Sequence, residues 1–242
     1  MPNIFVNPEN IKADNITLAG EDFNHIVRVL RMKTGEDLNV LDNRGHIYRT
    51  KITAIDKKQA VCSIKEVIDV PPSPYKVILA QALIKGEKMD WLIQKGTELG
   101  VSTIIPLASE RAVVKLSGKD TSKKVERWQK IAKSAAEQCE RVDLPVIEAP
   151  VTLHNLEIPE GTTSFVGVAR GNAPMLSAIP QSAFRNPHSA VLFAVGPEGG
   201  FTPDEETLLQ KKGCRPLSLA PNILRAETAA VAFLAQVRVC IP

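Results

Sequence analysis

The pattern of apolar and polar residues changes near residue 70. Before that point short segments alternate in polarity as half-buried strands do, whereas after it uninterrupted apolar runs alternate with helical patterns. Between the two patterns, three prolines fall within residues 71–74. Such a segment stiffens a linker and breaks regular structure. We therefore predict a small domain over residues 1–70, a linker over residues 71–76 and a larger domain over residues 77–242.

The first domain is predicted to be a small, mostly β, barrel-like module. Its helical pattern, EDFNHIVRVLR, places Phe23, Ile26, Val27 and Leu30 on a single face. Three strand patterns follow the helix and are joined by the polar turns DNRGH and DKKQ. These strands are expected over residues 37–41, 47–55 and 60–68.

The second domain alternates strand and helix patterns, which predicts an α/β fold with a parallel sheet covered by helices on both faces. Strands are predicted in KVILAQALI, VSTIIPLA, TTSFVGVA, AVLFAV and RPLSL. Helices are predicted from Glu87 to Leu99, ended by Gly100, and in TSKKVERWQKIAKSAAEQCER and ILRAETAAVAFLAQV.

The stretch AVLFAVGPEGGFTPDEE, residues 190–206, predicts a buried strand, a glycine turn and a helix. Thr202, Pro203 and Glu205 are suited to the N-cap, the first helical position and the closing residue of a capping box. Glycines allow the backbone to approach a ligand closely, and open α/β sheets bind ligands beyond the carboxyl ends of their strands. The turn is thus a candidate binding loop, with a plain strand-to-helix connection as the alternative.

The glycine turn does not have the composition of a phosphate site. The chain there contains neither G-x-x-x-x-G-K-[ST] nor G-x-G-x-x-G. Glu198 also puts a carboxylate where a phosphate needs Lys or free N–H groups. The turn therefore favours a neutral or cationic ligand.

A second strand, loop and helix are predicted over residues 216–237. The helix is apolar nearly all round after Thr228, which predicts deep burial. Arg225 and Glu227 stand at its start, and charges that lead into a buried helix need partners. Three partners remain open: each other, another subunit or a ligand.

Composition places the chain among ordinary globular proteins. It has 242 residues, 44% of them hydrophobic, and a net charge of +3, which permits a polyanionic partner without requiring one. The four cysteines are scattered and the four histidines form no ligand pair, so neither a disulfide framework nor a metal site is expected. No signal sequence and no run of 18 apolar residues occurs. We expect a soluble cytoplasmic protein without a membrane partner.

Several cations of the first domain are candidate phosphate contacts for RNA. Solvated surface charge is the alternative, because aromatic stacking platforms are scarce in this region. The cations are Arg28, Arg31, Lys33, Arg44, Arg49 and Lys51.

Four motifs, KMDWLIQKGTELGV at 88–101, AAEQCERVDLP at 135–145, GPEGGF and ILRAETAA, give the chain a full-length resemblance to a known family. It resembles the RsmE family of SPOUT RNA methyltransferases. The resemblance implies a PUA-like β-barrel domain for RNA, a SPOUT parallel-sheet domain with a deep trefoil knot, and a homodimer. It further implies S-adenosylmethionine as cofactor and N3 of a uridine in small-subunit (16S) ribosomal RNA as methyl acceptor, in free rRNA or in the assembled small ribosomal subunit.

The resemblance also implies which residues contact the cofactor. Two loops and the start of a helix supply them, and leucines and an isoleucine form an apolar slot for adenine. The residues are Gly196, Pro197, Glu198, Gly199 and Gly200 in the first loop, and Leu217, Ser218, Leu219, Ile223, Leu224 and Thr228 in the second.

Arg225 and Glu227 are the candidate catalytic residues. Uridine N3 carries a weakly acidic proton that must be removed before the nitrogen attacks a methyl group. Arg225 is suited to stabilise charge on the uracil oxygens, and Glu227 or Glu198 to act as base or to orient Arg225. A structural pair between Glu227 and Arg225 remains the alternative.

The chain departs from the family pattern at a few positions. Ala220 replaces a usual Gly, which indicates that φ need not be positive there, and Asn222 replaces a usual Arg. Asn3 stands where an Arg is often found, Gly96 where Ala is usual and Glu140 where Gly is common. Each change concerns a single position and leaves the match to the family undisturbed.

Two other functions remain open. A related SPOUT enzyme acts on a ribose 2′-hydroxyl or on tRNA, and a non-catalytic RNA-binding protein uses the second domain for assembly alone. Presence of both cofactor loops favours catalysis over the second alternative.

Overall fold

The computed structural model of the protein describes residues 1–113, 119–169, 173–184 and 190–240. The chain forms two compact units, one of Met1–Pro72 with Ala136–Leu144 and one of Ser73–Ala135 with Pro145–Pro242. No helix among the described residues is long and apolar enough to cross a membrane.

The N-terminal unit is built on a five-stranded sheet. Its strands are β1 (Asn3–Phe5), β2 (Asn15–Ala19), β3 (Asp37–Leu41), β4 (His46–Ile55) and β5 (Gln59–Asp69). The order is β1-β3-β4-β5-β2, and every pairing is antiparallel apart from the parallel pair of β1 and β3. The three predicted strands are confirmed as β3, β4 and β5.

The predicted helix of this unit is shorter than its sequence pattern. Helix α1 (Gly20–Asn24) continues as a π-helical turn over His25–Val29. Phe23 and Ile26 are buried, whereas Leu30 is 39% exposed, so the prediction of one apolar face ending in Leu30 was wrong. A π turn is wider than an α turn, and it rotates Leu30 away from the face that carries Phe23.

The second unit contains a parallel sheet in the order β12-β10-β11-β6-β7-β8, with β9 paired to β7. All five strands predicted here are confirmed, and β8 and β9, of two residues each, are too short to give a sequence pattern. The strands are β6 (Lys76–Ala82), β7 (Thr103–Ala108), β8 (Val146–Ile147), β9 (Val151–Thr152), β10 (Thr163–Gly167), β11 (Ala190–Val195) and β12 (Arg215–Leu217).

Helices cover both faces of this sheet. Leu79 of β6 belongs to a core cluster with Leu92 and Phe233, while its neighbour Ala80 belongs to a second cluster with Leu209. Adjacent residues of a strand point to opposite faces, so each cluster fills one side of the sheet. The helices are α2 (Glu87–Glu98), α3 (Lys119–Gln138), α4 (Pro203–Lys211) and α5 (Ala226–Cys240).

Helix α4 begins with the predicted capping box. The hydroxyl of Thr202 accepts a hydrogen bond from the Glu205 N–H at 3.3 Å, and the Glu205 carboxylate accepts one from the Thr202 N–H at 2.9 Å. Pro203 occupies the first helical position. The box fixes where the glycine loop ends and the helix starts.

The predicted deep burial of helix α5 holds for one side, and the prediction was wrong for its outer side. Phe233, Leu234 and Val237 are at most 1% exposed, whereas Val239 is 79% exposed. A helix packed on a sheet face buries a stripe of its surface, and its outer side needs another partner to be covered.

The end of α3 and the residues after it belong to the N-terminal unit. The Phe5 N–H donates to Glu137 Oε1 at 3.0 Å, and the Leu144 N–H donates to Asn43 Oδ1 at 2.8 Å. Helix α3 ends in a Schellman motif, in which the Arg141 N–H donates to the Ala136 carbonyl at 2.9 Å. Glu140 adopts the left-handed conformation there, with φ of 58°, which explains why Gly is common at this position.

Candidate active site

A cavity of about 530 Å³ lies at the carboxyl edge of the parallel sheet, a size typical of sites for small molecules. The strand order β12-β10-β11 brings the loops that follow these strands side by side. The cavity is lined by residues 167–169 at the end of β10 and beyond it, by the glycine loop (residues 196–201) after β11, and by residues 218–220 and 222–224 after β12. Ala226 and Ala229 of α5 complete this wall.

The glycine loop folds tightly on itself. A Cβ atom on Gly196 would lie 2.8 Å from the Phe201 nitrogen and 3.0 Å from the Gly200 carbonyl carbon, closer than side chains tolerate. Gly200 has φ of 70°, and its N–H donates to the Pro197 carbonyl at 2.9 Å. All five residues predicted here, Gly196 to Gly200, line the cavity.

Arg111 also lines the cavity and was absent from the sequence predictions. Its Nη1 donates to the carbonyls of Gly199 at 3.0 Å and Phe201 at 3.3 Å, so it clamps the glycine loop from outside. The neighbouring Glu110 N–H donates to Glu205 Oε1 at 2.8 Å. The position of Arg111 in the sequence could have indicated this role, because this residue follows the end of β7 by three residues and so lies at the same edge of the sheet.

The second loop divides between the cavity and the core. Ser218, Leu219, Ile223 and Leu224 line the cavity. Leu217 is fully buried in the core, where its carbonyl accepts a hydrogen bond from the Val168 N–H at 3.0 Å, so its side chain forms no part of the apolar slot.

Three other residues of this segment bear on the predictions. Thr228 is exposed and does not line the cavity. Ala220 is not among the described residues with positive φ, which agrees with the Gly-to-Ala departure. Asn222 lines the cavity at the position where the family usually has Arg.

An ion cluster of Lys88, Glu198 and Glu227 lies beside the glycine loop. Lys88 Nζ is 3.3 Å from Glu227 Oε1 and 3.9 Å from Glu198 Oε1. Glu227 is therefore paired with Lys88 of α2, and the expected pair with Arg225 is not found among the described residues. Glu227 Oε2 is buried without a hydrogen-bond partner in the described part of the chain.

Arg225 occupies a different environment from Glu227. Its carbonyl accepts a hydrogen bond from the Ala229 N–H at 2.8 Å, so its backbone caps α5. Its side chain is exposed, although Leu224 and Ala226 on either side line the cavity. The guanidinium group is thus available to a molecule that approaches the cavity from solvent.

The six predicted RNA contacts fall in two places of the N-terminal unit, and all but the half-buried Lys51 are exposed. The π turn and the residues after it carry Arg28, Arg31 and Lys33, while Arg44, Arg49 and Lys51 lie on the β3–β4 hairpin. Arg49 forms an ion pair with Glu66 at 2.8 Å and Lys51 one with Asp37 at 3.8 Å, and the other four form none within the described ranges.

Asp42 holds the turn that presents Arg44. Its Oδ1 accepts hydrogen bonds from the N–H groups of Arg44 at 2.7 Å and His46 at 3.1 Å, and its Oδ2 lies 2.7 Å from His46 Nδ1. Burial raises the pKa of the Asp42 carboxyl, but these hydrogen bonds outweigh burial, so the pKa lies below its ordinary value. The turn is thus fixed by an ionised carboxylate.

Two departures from the family pattern have a structural counterpart. Asn3 is buried, and its Oδ1 accepts a hydrogen bond from Asn39 Nδ2 at 3.0 Å, so it serves the β1–β3 pair. A Cβ atom on Gly96 would lie 3.5 Å from Val101 Cγ1, an ordinary contact that explains how Ala is accommodated in relatives.

The cysteines are free thiols, and Cys62 and Cys214 are buried. Burial raises the pKa of both to about 11, which leaves them protonated as apolar packing groups. No group of three or more His, Cys, Asp or Glu side chains suited to a metal occurs among the described residues.

Comparison with known proteins identifies two domain families. Residues 71–238 match the RNA methyltransferase domain, and residues 18–65 match the RNA methyltransferase PUA domain. A protein of Synechocystis sp. named ribosomal RNA small subunit methyltransferase E is 37% identical over 97% of this chain and 76% of its own. A Bacillus subtilis protein of the same name is 33% identical over 90% of this chain and 87% of its own.

A solved structure is similar over the whole chain. The crystal structure of a ribosomal RNA small subunit methyltransferase E from Neisseria gonorrhoeae, bound to S-adenosyl methionine, is 30% identical to this chain. The match covers 99% of this chain and 97% of the other, with a TM-score of 0.87.

The tight fold of the glycine loop leads to a prediction. Gly196→Ala is expected to lower the free energy of unfolding by about 1 to 3 kcal/mol, because its Cβ atom has to displace backbone. Gly199→Ala is the matched control, since its Cβ atom would lie 3.5 Å from Arg111 in ordinary contact, and it is expected to change stability by less than about 0.5 kcal/mol. Urea unfolding measures both, and equal losses would contradict the prediction.

Proposed function

The chain belongs to the ribosomal RNA small subunit methyltransferase E family, and from this premise we propose that it methylates N3 of a uridine in small-subunit (16S) ribosomal RNA with S-adenosylmethionine as donor. The observation that carries the proposal is the cavity between the glycine loop and the start of α5, with two carboxylates beside it. The bound S-adenosyl methionine of the Neisseria gonorrhoeae relative supports the choice of cofactor.

The residues around the cavity fit this cofactor. Leu219, Ile223 and Leu224 offer an apolar wall for adenine, and the glycine loop offers backbone groups without side chains in the way. When bound, S-adenosylmethionine supplies an electrophilic methyl group on a positively charged sulfur. Glu198 lines the cavity, and a carboxylate there favours a cationic ligand and disfavours a phosphate.

Glu227 is suited to accept the proton of uridine N3. Its Oε1 is held by Lys88, while its Oε2 is buried without a partner among the described residues. A buried carboxylate oxygen without a partner is costly, and a hydrogen bond from a substrate would relieve that cost. We therefore assign Glu227 as the base and Glu198 to the cofactor.

Arg225 is suited to stabilise the negative charge that develops on the uracil oxygens when N3 loses its proton. Its exposed side chain, between two cavity-lining residues, is accessible to a base that is presented on RNA. A nucleotide that is stacked or paired has to leave its stack to reach the cavity. Transfer then needs alignment of N3 with the methyl group more than covalent help from the protein.

We retain the deep trefoil knot expected of the family as a prediction. The alternative functions, transfer to a ribose or to tRNA, differ from the proposal in the product that forms. We also propose a cytoplasmic location, where the rRNA substrate occurs.

The function is tested by transfer of a labelled methyl group. Small ribosomal subunits and free 16S rRNA that lack the modification are incubated with the protein and labelled S-adenosylmethionine, and the product is mapped by nuclease digestion and mass spectrometry. We expect one labelled uridine, methylated at N3, in one of the two substrates. Label on a ribose, label on neither substrate, or label on tRNA incubated in parallel would overturn the proposal.

Within this assay Arg225→Ala is expected to lower kcat by about 100-fold or more, because a donor to developing charge is lost. The unfolding midpoint should stay unchanged, since the side chain is exposed. The control is Arg127→Ala, which removes an exposed arginine of α3 that pairs with Asp90 of α2 and should leave kcat unchanged. Near-normal turnover by Arg225→Ala would show that the role is misassigned.

The unpaired cations of the π turn are proposed to contact RNA phosphates. The double substitution Arg28→Ala with Arg31→Ala should weaken RNA binding and lower the slope of log affinity against log salt by about 0.7 to 0.9 per lost contact. Lys57→Ala with Lys58→Ala removes two exposed cations from the β4–β5 turn and serves as control. Filter binding at several salt concentrations measures both, and equal slopes would contradict the assignment.

We propose that two copies associate through the outer side of α5. Support comes from the exposed Val239 and from an apolar groove of about 400 Å³ beside it, lined in part by Leu176, Ile179 and Phe184. Sedimentation velocity is expected to give a dimer for the natural chain and a monomer for Val239→Asp. Val67→Asp, at an exposed position of β5, is the control, and a monomeric natural chain would refute the proposal.

A further inference from the structure

Lys88 and Glu227 stand outside the set of residues that line the cavity, whereas Glu198 belongs to it, and Lys88 contacts both carboxylates. Lys88 lies in the first turn of α2, directly after the loop that follows the central strand β6. Glu198 belongs to the glycine loop after β11, and Glu227 to the first turn of α5. One side chain thus meets two segments that are far apart in the sequence.

The geometry makes Lys88 the shared partner of both carboxylates. Its Nζ lies 3.3 Å from Glu227 Oε1 and 3.9 Å from Glu198 Oε1, so these two oxygens lie within about 7 Å of each other. The Lys85 N–H, from the same loop, also donates to Glu198 Oε1 at 3.4 Å. Without Lys88, the two carboxylates would repel each other. The hydrogen bond from the Lys85 N–H would then still hold Glu198, but it would not hold Glu227.

Burial decides which of the two contacts matters more. The Glu227 side chain is 13% exposed, against 32% for Glu198 and 39% for Lys88. An ion pair at an exposed position contributes little, whereas a nearly buried carboxylate depends on its partner. Lys88 therefore matters chiefly for Glu227, and its contact through Oε1 leaves the buried Oε2 of that residue without a hydrogen-bond partner among the described residues.

We propose that Lys88 is a positioning residue for methyl transfer, which holds Glu227 with its Oε2 directed to the substrate and ties the start of α5 to the glycine loop. This inference rests on the proposed function, because it assigns Lys88 a role through the proposed base. It implies a specific pattern of kinetic effects. Loss of the ammonium should lower kcat, while cofactor affinity should change little, since Lys88 does not line the cavity.

The chain offers a matched control on the same helix. Lys95 lies two turns after Lys88, is 33% exposed and pairs with Glu98 at 2.8 Å. Lys95→Met therefore removes a lysine of similar exposure and pairing from α2 without touching the cavity. Methionine keeps the length of the side chain in both variants and removes its charge.

The test compares Lys88→Met, Lys88→Arg, Lys95→Met, Glu227→Gln and the double variant Lys88→Met with Glu227→Gln. Single-turnover transfer gives the rate, and calorimetry gives the Kd of S-adenosylmethionine. We expect Lys88→Met to lose about 10- to 100-fold in rate, as a lost positioning contact does, with a Kd within about threefold of the natural value. Lys88→Arg should recover most of the rate, and Lys95→Met should behave as the natural chain.

The double variant separates positioning from a general effect on the fold. If Lys88 acts through Glu227, the double variant should be no slower than Glu227→Gln alone. Additive losses, equal losses for Lys88→Met and Lys95→Met, or a fully active Glu227→Gln would each overturn the inference. Failure of the proposed function would differ from all of these, because the natural chain would then transfer no methyl group to uridine.

Discussion

The stacking of Phe233 on Phe193 fixes α5 against the parallel sheet, and the polar groups of the cavity depend on that contact. The two rings lie 4.2 Å apart at 13° and are fully buried. On the neighbouring strand, Gly167 makes room for Phe193, since a Cβ atom there would lie 2.8 Å from the Phe193 ring. Because β10, β11 and β6 run parallel, their carboxyl ends meet at the edge where α5 begins.

From this fixed helix, Arg225 and Glu227 point to different surroundings. They are separated by one residue, and neighbours two positions apart do not share a face of a helix. Arg225 is exposed, whereas Glu227 is nearly buried against Lys88. The start of α5 thus exposes a cation to solvent and holds a nearly buried acid beside Lys88.

The sequence predicted those features that depend on neighbouring residues. The strand before the glycine loop, the capping box at Thr202 and the end of α2 at Gly100 follow from apolar runs, caps and glycines. The knot, the cofactor and the uridine came from the family resemblance. The ion pair of Glu227 with Lys88 could not be predicted from the sequence, because it joins segments that meet only after the sheet has formed. The exposure of Leu30 was not predicted, because no sequence pattern distinguishes a π turn from a continuing α-helix.

The N-terminal unit takes in residues 136–144 as well as residues 1–72. Leu144 and Ala136 pack with Phe5 and Leu41, and Glu137 bonds the backbone of β1. During synthesis the first 72 residues leave the ribosome long before this returning segment exists. The unit that is synthesised first is therefore not complete until residue 144 has been made, because this segment packs at the edge formed by β1. By then more than half of the chain has been synthesised.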